Sequence, residues 1–390
     1  KAGPKAMPKT NPWRGPLSAL CALLVGIGLG RFAYPPLLPA LAAAGWFTAS
    51  QAAYLGAANL AGYLAGALLA RRLAARSSTT FMLRAGMLLA SLSLLACAEP
   101  VSFAWFFVWR FAAGMSGGIL MVLAAPTVLP FVPSHQQGLA GGVIMTGVGL
   151  GIAISGTVVP FTLELGLMET WLILGLLSLL LTALSWDGWP TAKVVAEKTN
   201  QKSPAASPAL KSLYLEYGLN AMGLVPHMVF LVIFIAQGLD RGQAVGSFYW
   251  VLFGVGALVG PVSVGYLADR IGFSAMLRLS YLAQAVLIAA CSVTDNTGVL
   301  MLSSLVMGAF VPGCTSLGLG RLRQLMPGDA AAQTSAWGLA TIGFAMGQAI
   351  GAYGLSYLFD LKGDYTLLFA GGAGAIAIAL ALNLVLGKRV

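Results

Sequence analysis

Charged side chains are scarce: Asp, Glu, Lys and Arg make up 9% of the 390 residues, against about 25% in a soluble domain. A surface that poor in charge cannot stay in water, which excludes an ordinary soluble enzyme or binding module. Histidine occurs twice and cysteine four times. Cys21, Cys97, Cys291 and Cys314 all fall inside apolar runs, so they read as small core hydrophobes and neither a disulfide framework nor a thiolate metal cluster is expected. No Walker A lysine loop is present. The glycines of Gly26-Ile-Gly-Leu-Gly30 lie within an apolar stretch with no strand before them, and no Ser-His-Asp arrangement is credible. Hydrolase and primary pump are thereby excluded, and no cofactor is expected.

Apolar residues fill that space, at 58% of the chain and a mean hydropathy of +0.85. They come in continuous runs of about twenty residues, the length a helix needs to cross a bilayer, where a barrel strand would alternate over about ten. Only closed barrels and helices satisfy every backbone group in hydrocarbon, so the chain is expected to be an all-α membrane protein. Twelve spans are predicted, near 16–43, 50–70, 80–97, 102–130, 139–163, 168–186, 212–237, 246–268, 275–294, 299–320, 334–358 and 366–387.

Alternating the connections puts sixteen of the 22 Lys and Arg residues on one side, among them Arg71, Arg72, Arg76, Arg270, Arg321 and Arg323. Glu99, Glu164, Glu169, Asp240, Asp295, Asp360 and Asp364 fall on the other. That bias places both termini in the cytoplasm of a bacterial inner membrane, with no cleavable signal peptide expected. The formal charge of +10 then belongs to the cytoplasmic loops, with the lipid bilayer and not nucleic acid as partner. Residues 1–15 form an N-tail, 16–186 and 212–390 hold six spans each, and the Lys-, Ser- and Pro-rich stretch 187–211 links them. The halves share local patterns. Gly66-Ala-Leu-Leu-Ala70-Arg71 matches Gly265-Tyr-Leu-Ala-Asp269-Arg270, and Phe81-Met-Leu-Arg84 matches Ala275-Met-Leu-Arg278.

Gly265-Tyr-Leu-Ala-Asp269-Arg270-Ile-Gly272 resembles motif A of the major facilitator superfamily, and Arg110-x3-Gly114-x2-Gly117-Gly118 resembles its motif B. The Gly-rich run from Gly141 to Gly156 is loosely similar to the antiporter motif but lacks its Gly-Pro pair. Gly26-Ile-Gly-Leu-Gly30-Arg31-Phe-Ala-Tyr34-Pro-Pro and Tyr217-Gly-Leu-Asn220-Ala-Met222-Gly-Leu-Val-Pro-His227-Met228 are similar to the YbfB/YjiJ branch, along the whole chain. The resemblance implies two six-helix repeats rocking around a midplane site, with spans one, four, seven and ten lining the cavity. It also implies that Gly265, Asp269, Arg270 and Gly272 help hold one gated state.

Five charges remain inside spans: Arg31, Arg84, Arg110, Glu216 and Arg278. Each costs about 2.5–3.5 kcal/mol at a helix centre on insertion scales. Arg84 and Arg278 sit one turn from the cytoplasmic ends and read as snorkelling anchors. No acid shares the depth of Arg31 or Arg110, so each must meet water, backbone carbonyls or an anionic ligand. For Arg110, packing against carbonyls beside Gly114–Gly118 is the structural alternative. In span seven, Glu216, Asn220 and His227 fall within about 40° of one another at helical spacing.

The expected function is secondary active, proton-linked transport of a small organic anion, a carboxylate, and no enzyme is expected because no catalytic set is visible. Arg31, Tyr34, Arg110, Asn220, His227 and Gln348 are the candidate substrate contacts, with the Pro312-Gly313 break in span ten as a weaker one. His227 and Glu216 are the candidate proton carriers. Copper import through Met222, His227 and Met228, drug efflux and a non-transporting sensor are the alternatives, and a monomer is expected.

Overall fold

A computed structural model describes residues 13–133, 137–190, 207–326 and 330–386. Helices occupy all twelve segments marked by the apolar runs. They are α1 (Arg14–Ala43), α2 (Ala49–Arg76), α3 (Thr79–Ala96), α4 (Phe103–Val128), α5 (Gln137–Leu163) and α6 (Leu167–Ser185). Then follow α7 (Pro208–Gly238), α8 (Gln243–Ile271), α9 (Phe273–Cys291), α10 (Thr297–Leu325), α11 (Ala330–Lys362) and α12 (Tyr365–Leu386). No strand occurs among the described residues. Eleven of these helices are long and apolar enough to cross a membrane, α11 standing outside that count. The molecule is therefore a multi-pass membrane protein. Most of the 187–211 linker and residues 1–12 of the N-tail lie outside the described residues.

Short polar caps set the helix starts. Thr48 opens α2 with a reciprocal capping box to Gln51, and Ser78 and Ser102 accept from the backbone N–H of Phe81 and Trp105 to open α3 and α4. Gly272 joins α8 to α9 at φ +87°, a left-handed turn that favours glycine.

Helix starts recur at a fixed interval. Ala49, Thr79 and Phe103 open α2, α3 and α4, and Gln243, Phe273 and Thr297 open α8, α9 and α10, each 194 positions later. The packing repeats with the same offset. A Cβ on Gly114 of α4 would lie 1.8 Å from the Asn59 carbonyl oxygen of α2, and one on Gly308 of α10 would lie 1.9 Å from that of Phe253 in α8. Small residues here let two backbones touch, the usual means of packing helices in lipid. This register corrects the sequence match between the ends of α2 and α8. Asp269 and Arg270 correspond to Ala75 and Arg76, not to Ala70 and Arg71. Gly, Ala and Leu dominate α2, so a short string match can slip by five positions.

Across the middle, α2 packs on α11 and α5 on α8, joining the first six helices to the last six. Two helices are irregular. α1 winds as a π-helix over Leu24–Leu29 and carries Pro35, Pro36 and Pro39, while α7 has π-helical turns over Pro226–Phe230 and Phe234–Gly238. Such turns frequently mark functional sites.

Candidate functional site

The broken middle of α1 builds the site. Proline has no N–H, so Pro36 leaves the Phe32 carbonyl without its helical donor. Trp250 Nε1 of α8 and Ser155 Oγ of α5 supply the missing bonds, at 3.1 and 3.0 Å. Two residues back, the Gly30 carbonyl accepts from Arg110 Nη1 at 2.9 Å and from Asn59 Nδ2 at 3.3 Å. Arg110 is buried, and its guanidinium lies 4.2 Å from the Tyr34 ring centroid. Tyr34 in turn donates to the Ala52 carbonyl at 2.7 Å. Arg110 thus meets a carbonyl, as the structural alternative foresaw, but that of Gly30 in α1 instead of one on its own glycine face.

Arg31 is held differently. Its Nη2 donates to Gln348 Oε1 of α11 at 2.7 Å. The rings of Phe32 and Tyr63 lie 5.2 and 5.3 Å from the guanidinium, within reach of cation–π attraction. Its Nε has no partner. Among the described residues neither Arg31 nor Arg110 forms an ion pair.

Arg31, Tyr34, Asn59, Arg110 and Met228 are among the residues enclosing a cavity of about 20 Å³ between α1, α2, α4 and α7, room for about one water molecule. Helix α10 does not contribute, and α2 does. Asn59 and Tyr63 were missed from sequence. A lone amide amid the apolar run of α2 was the available signal, because a buried amide needs partners. Gln348 joins the cavity through Arg31, and its Nε2 lies 3.5 Å from Met228 Sδ.

The stripe on α7 is real as a face but turns away from Arg31, into the bundle of α9, α10 and α12. Glu216 accepts from Ser212 Oγ at 2.5 Å and from Asn383 Nδ2 at 2.7 Å. Asn383 Oδ1 accepts from Arg278 Nε at 2.9 Å, so α9 and α12 hold the carboxylate through one amide. Asn220 donates to Gln284 at 2.9 Å. His227 Nε2 lies 2.8 Å from Ser303 Oγ and 3.9 Å from Cys291 Sγ, against the edge of Phe369, while its Nδ1 is unpartnered.

Met222, His227 and Met228 do not converge. Met222 packs towards Gly351, His227 towards Ser303, and Met228 lines the cavity. Among the described residues no group of three or more His, Cys, Asp or Glu side chains is placed to hold a metal ion. Of the matched arginines, Arg84 donates to the Trp186 carbonyl at 2.7 Å and pairs with Asp187 at 3.6 Å. In the last turns of α8, Arg270 lies over Tyr266, 4.2 Å from the ring centroid, and nothing crowds Gly265. The side chain of Asp269 lies outside the described residues.

A family model described as "Uncharacterised MFS-type transporter YbfB" matches residues 23–384. None of the curated proteins matches the chain.

Proposed function

The chain belongs to this family of MFS-type transporters, and from that premise we propose that it carries a small organic anion, a carboxylate, across a bacterial inner membrane. The observation that carries the reading is Arg31: a guanidinium at a cavity between the two sets of helices, with no carboxylate paired to it among the described residues and its Nε unpartnered. A planar fork of donors matches a carboxylate bidentately.

Twelve spans in two six-helix repeats, both termini cytoplasmic, complete the architecture. The recurring helix starts and the matched glycine contacts support the repeat. The cavity's size supports alternating access, since space for about one water cannot admit a cargo until the helices part. Protons drive the cycle through His227 or Glu216, the buried imidazole and the buried carboxylate of α7. Asn220 acts behind them, through Gln284. Asp269, with Gly265, Arg270 and Gly272, steadies one gated state.

The test is a thermal-shift screen of the purified protein against carboxylates, cationic drugs and copper. Ligands that bind the folded state raise its melting temperature. Stabilisation by a carboxylate, lost in Arg31→Ala, is the expected result. Stabilisation by cations alone overturns the reading.

A further inference from the structure

We infer that Gln348 is a built-in competitor for the cargo, its amide oxygen holding the place on Arg31 that an anionic oxygen of the cargo takes. The inference rests on the reading of Arg31 as the anion contact.

Gln348 is 1% exposed and sits on α11, across the molecule from the proline-broken helix that carries Arg31. Its amide has one orientation that suits both neighbours. The oxygen accepts from Arg31 Nη2 at 2.7 Å, and the nitrogen faces Met228 Sδ at 3.5 Å. An amide oxygen has the planar geometry of a carboxylate oxygen without the charge, so the guanidinium holds it in the same manner but more weakly. Arg31 Nε meanwhile has no acceptor. The fork is half used. A carboxylate engages both of its donors only when Gln348 withdraws, and the charge-assisted pair outweighs the neutral bond it replaces.

Displacement has a mechanical consequence. Arg31 belongs to the first six helices and Gln348 to the last six, so their bond ties the two sets together beside the cavity. Cargo enters once that bond has opened, and by holding Arg31 it keeps the two sets untied. The empty carrier is held closed by a weak internal ligand and is released by a stronger external one. Binding and opening are then linked through one side chain, as population shift requires of any ligand that changes conformation.

The Ser50–Asp360 contact reports on the tie, because Ser50 Oγ of α2 donates to Asp360 Oδ1 of α11 at 2.6 Å on the expected outer face. With cysteines at these two positions, a short thiol cross-linker reads the ratio of closed to open molecules. Gln348→Ala should lower that ratio about tenfold, the effect of losing one hydrogen bond to a charged group. Gln348→Glu, a tethered carboxylate, should raise it by a similar factor, and adding Arg31→Ala should cancel the gain. An unchanged ratio in both Gln348 variants overturns the inference while leaving Arg31 as an anion contact. A ratio that falls in both means that Arg31 ties to an amide but rejects a carboxylate. That result defeats the anion reading, and the competitor with it.

Discussion

Arg31 and Arg110 lie in one cavity yet do different things, and substitution separates them. Arg110 closes contacts within the first six helices, to the Gly30 carbonyl and the Tyr34 ring. Arg110→Ala leaves a buried void and strips a charged donor, and a cost of about 1.5–3 kcal/mol in stability is expected, read as a lower melting temperature in detergent. Among the described residues Arg31 hydrogen-bonds only to Gln348, and its Nε has no partner. Arg31→Lys keeps the charge but loses the fork, so carboxylate affinity should fall about ten- to a hundredfold with melting nearly unchanged. Equal effects of the two substitutions on melting would contradict the division. His227 and Glu216 divide in a similar way. In proteoliposomes, His227→Gln should retain exchange of bound cargo while losing accumulation driven by a pH gradient, because glutamine cannot take up a proton. A defect confined to Glu216→Gln moves the proton to the carboxylate, and accumulation intact in both variants excludes proton transfer at either site.

Between helices, the tightest constraints are backbone contacts without a side chain in between. Gly114 against Asn59 and Gly308 against Phe253 leave no room for a methyl group. Gly114→Ala and Gly308→Ala should each destabilise by about 1–3 kcal/mol, the usual cost of overpacking, whereas Gly354→Ala on α11, with open space around it, should be neutral. Melting curves of the three variants check this. The positions of the helices were legible in sequence because apolar runs report a bilayer directly: predicted 80–97 is Thr79–Ala96, and predicted 275–294 is Phe273–Cys291. Their facing was not. A helix that is apolar on every side has no stripe to show which neighbour it meets. So the face shared by Glu216, Asn220 and His227 could be read, but not its direction, which is into α9, α10 and α12. The Arg31–Gln348 bond joins residues 317 positions apart, a pairing that no local pattern encodes. Likewise, the carbonyls freed in α1 follow from its prolines, but the Trp250 that answers one of them comes from α8.

For the whole molecule, sidedness is set by where its few charges lie. The loop between α2 and α3 follows Arg71, Arg72 and Arg76, and basic residues flanking spans are retained in the cytoplasm. The loop between α9 and α10 contains Asp295 and no Lys or Arg, so it is expected outside. Ser77 and Val293 report on the two loops, both being exposed, Val293 at 83%. In intact cells an impermeant thiol reagent should label Val293→Cys and leave Ser77→Cys unmodified until the membrane is opened. The native cysteines add little background, since Cys97, Cys291 and Cys314 are buried and Cys21 lies within α1. Labelling of Ser77→Cys in intact cells would invert the orientation. It would also exchange the two faces of the carrier. Gln243 of α8 donates to the Pro36 carbonyl and Gln237 of α7 to that of Pro39, at 2.5 and 3.1 Å, at the same end of the molecule as Ser50 and Asp360. These bonds close the path between the halves at the end where α1 finishes. With Val293 outside, that end is the outer one, and cargo must leave the cavity towards the cytoplasm first. With Ser77 outside, the same bonds would seal the cytoplasmic mouth, and the first exit would be outward.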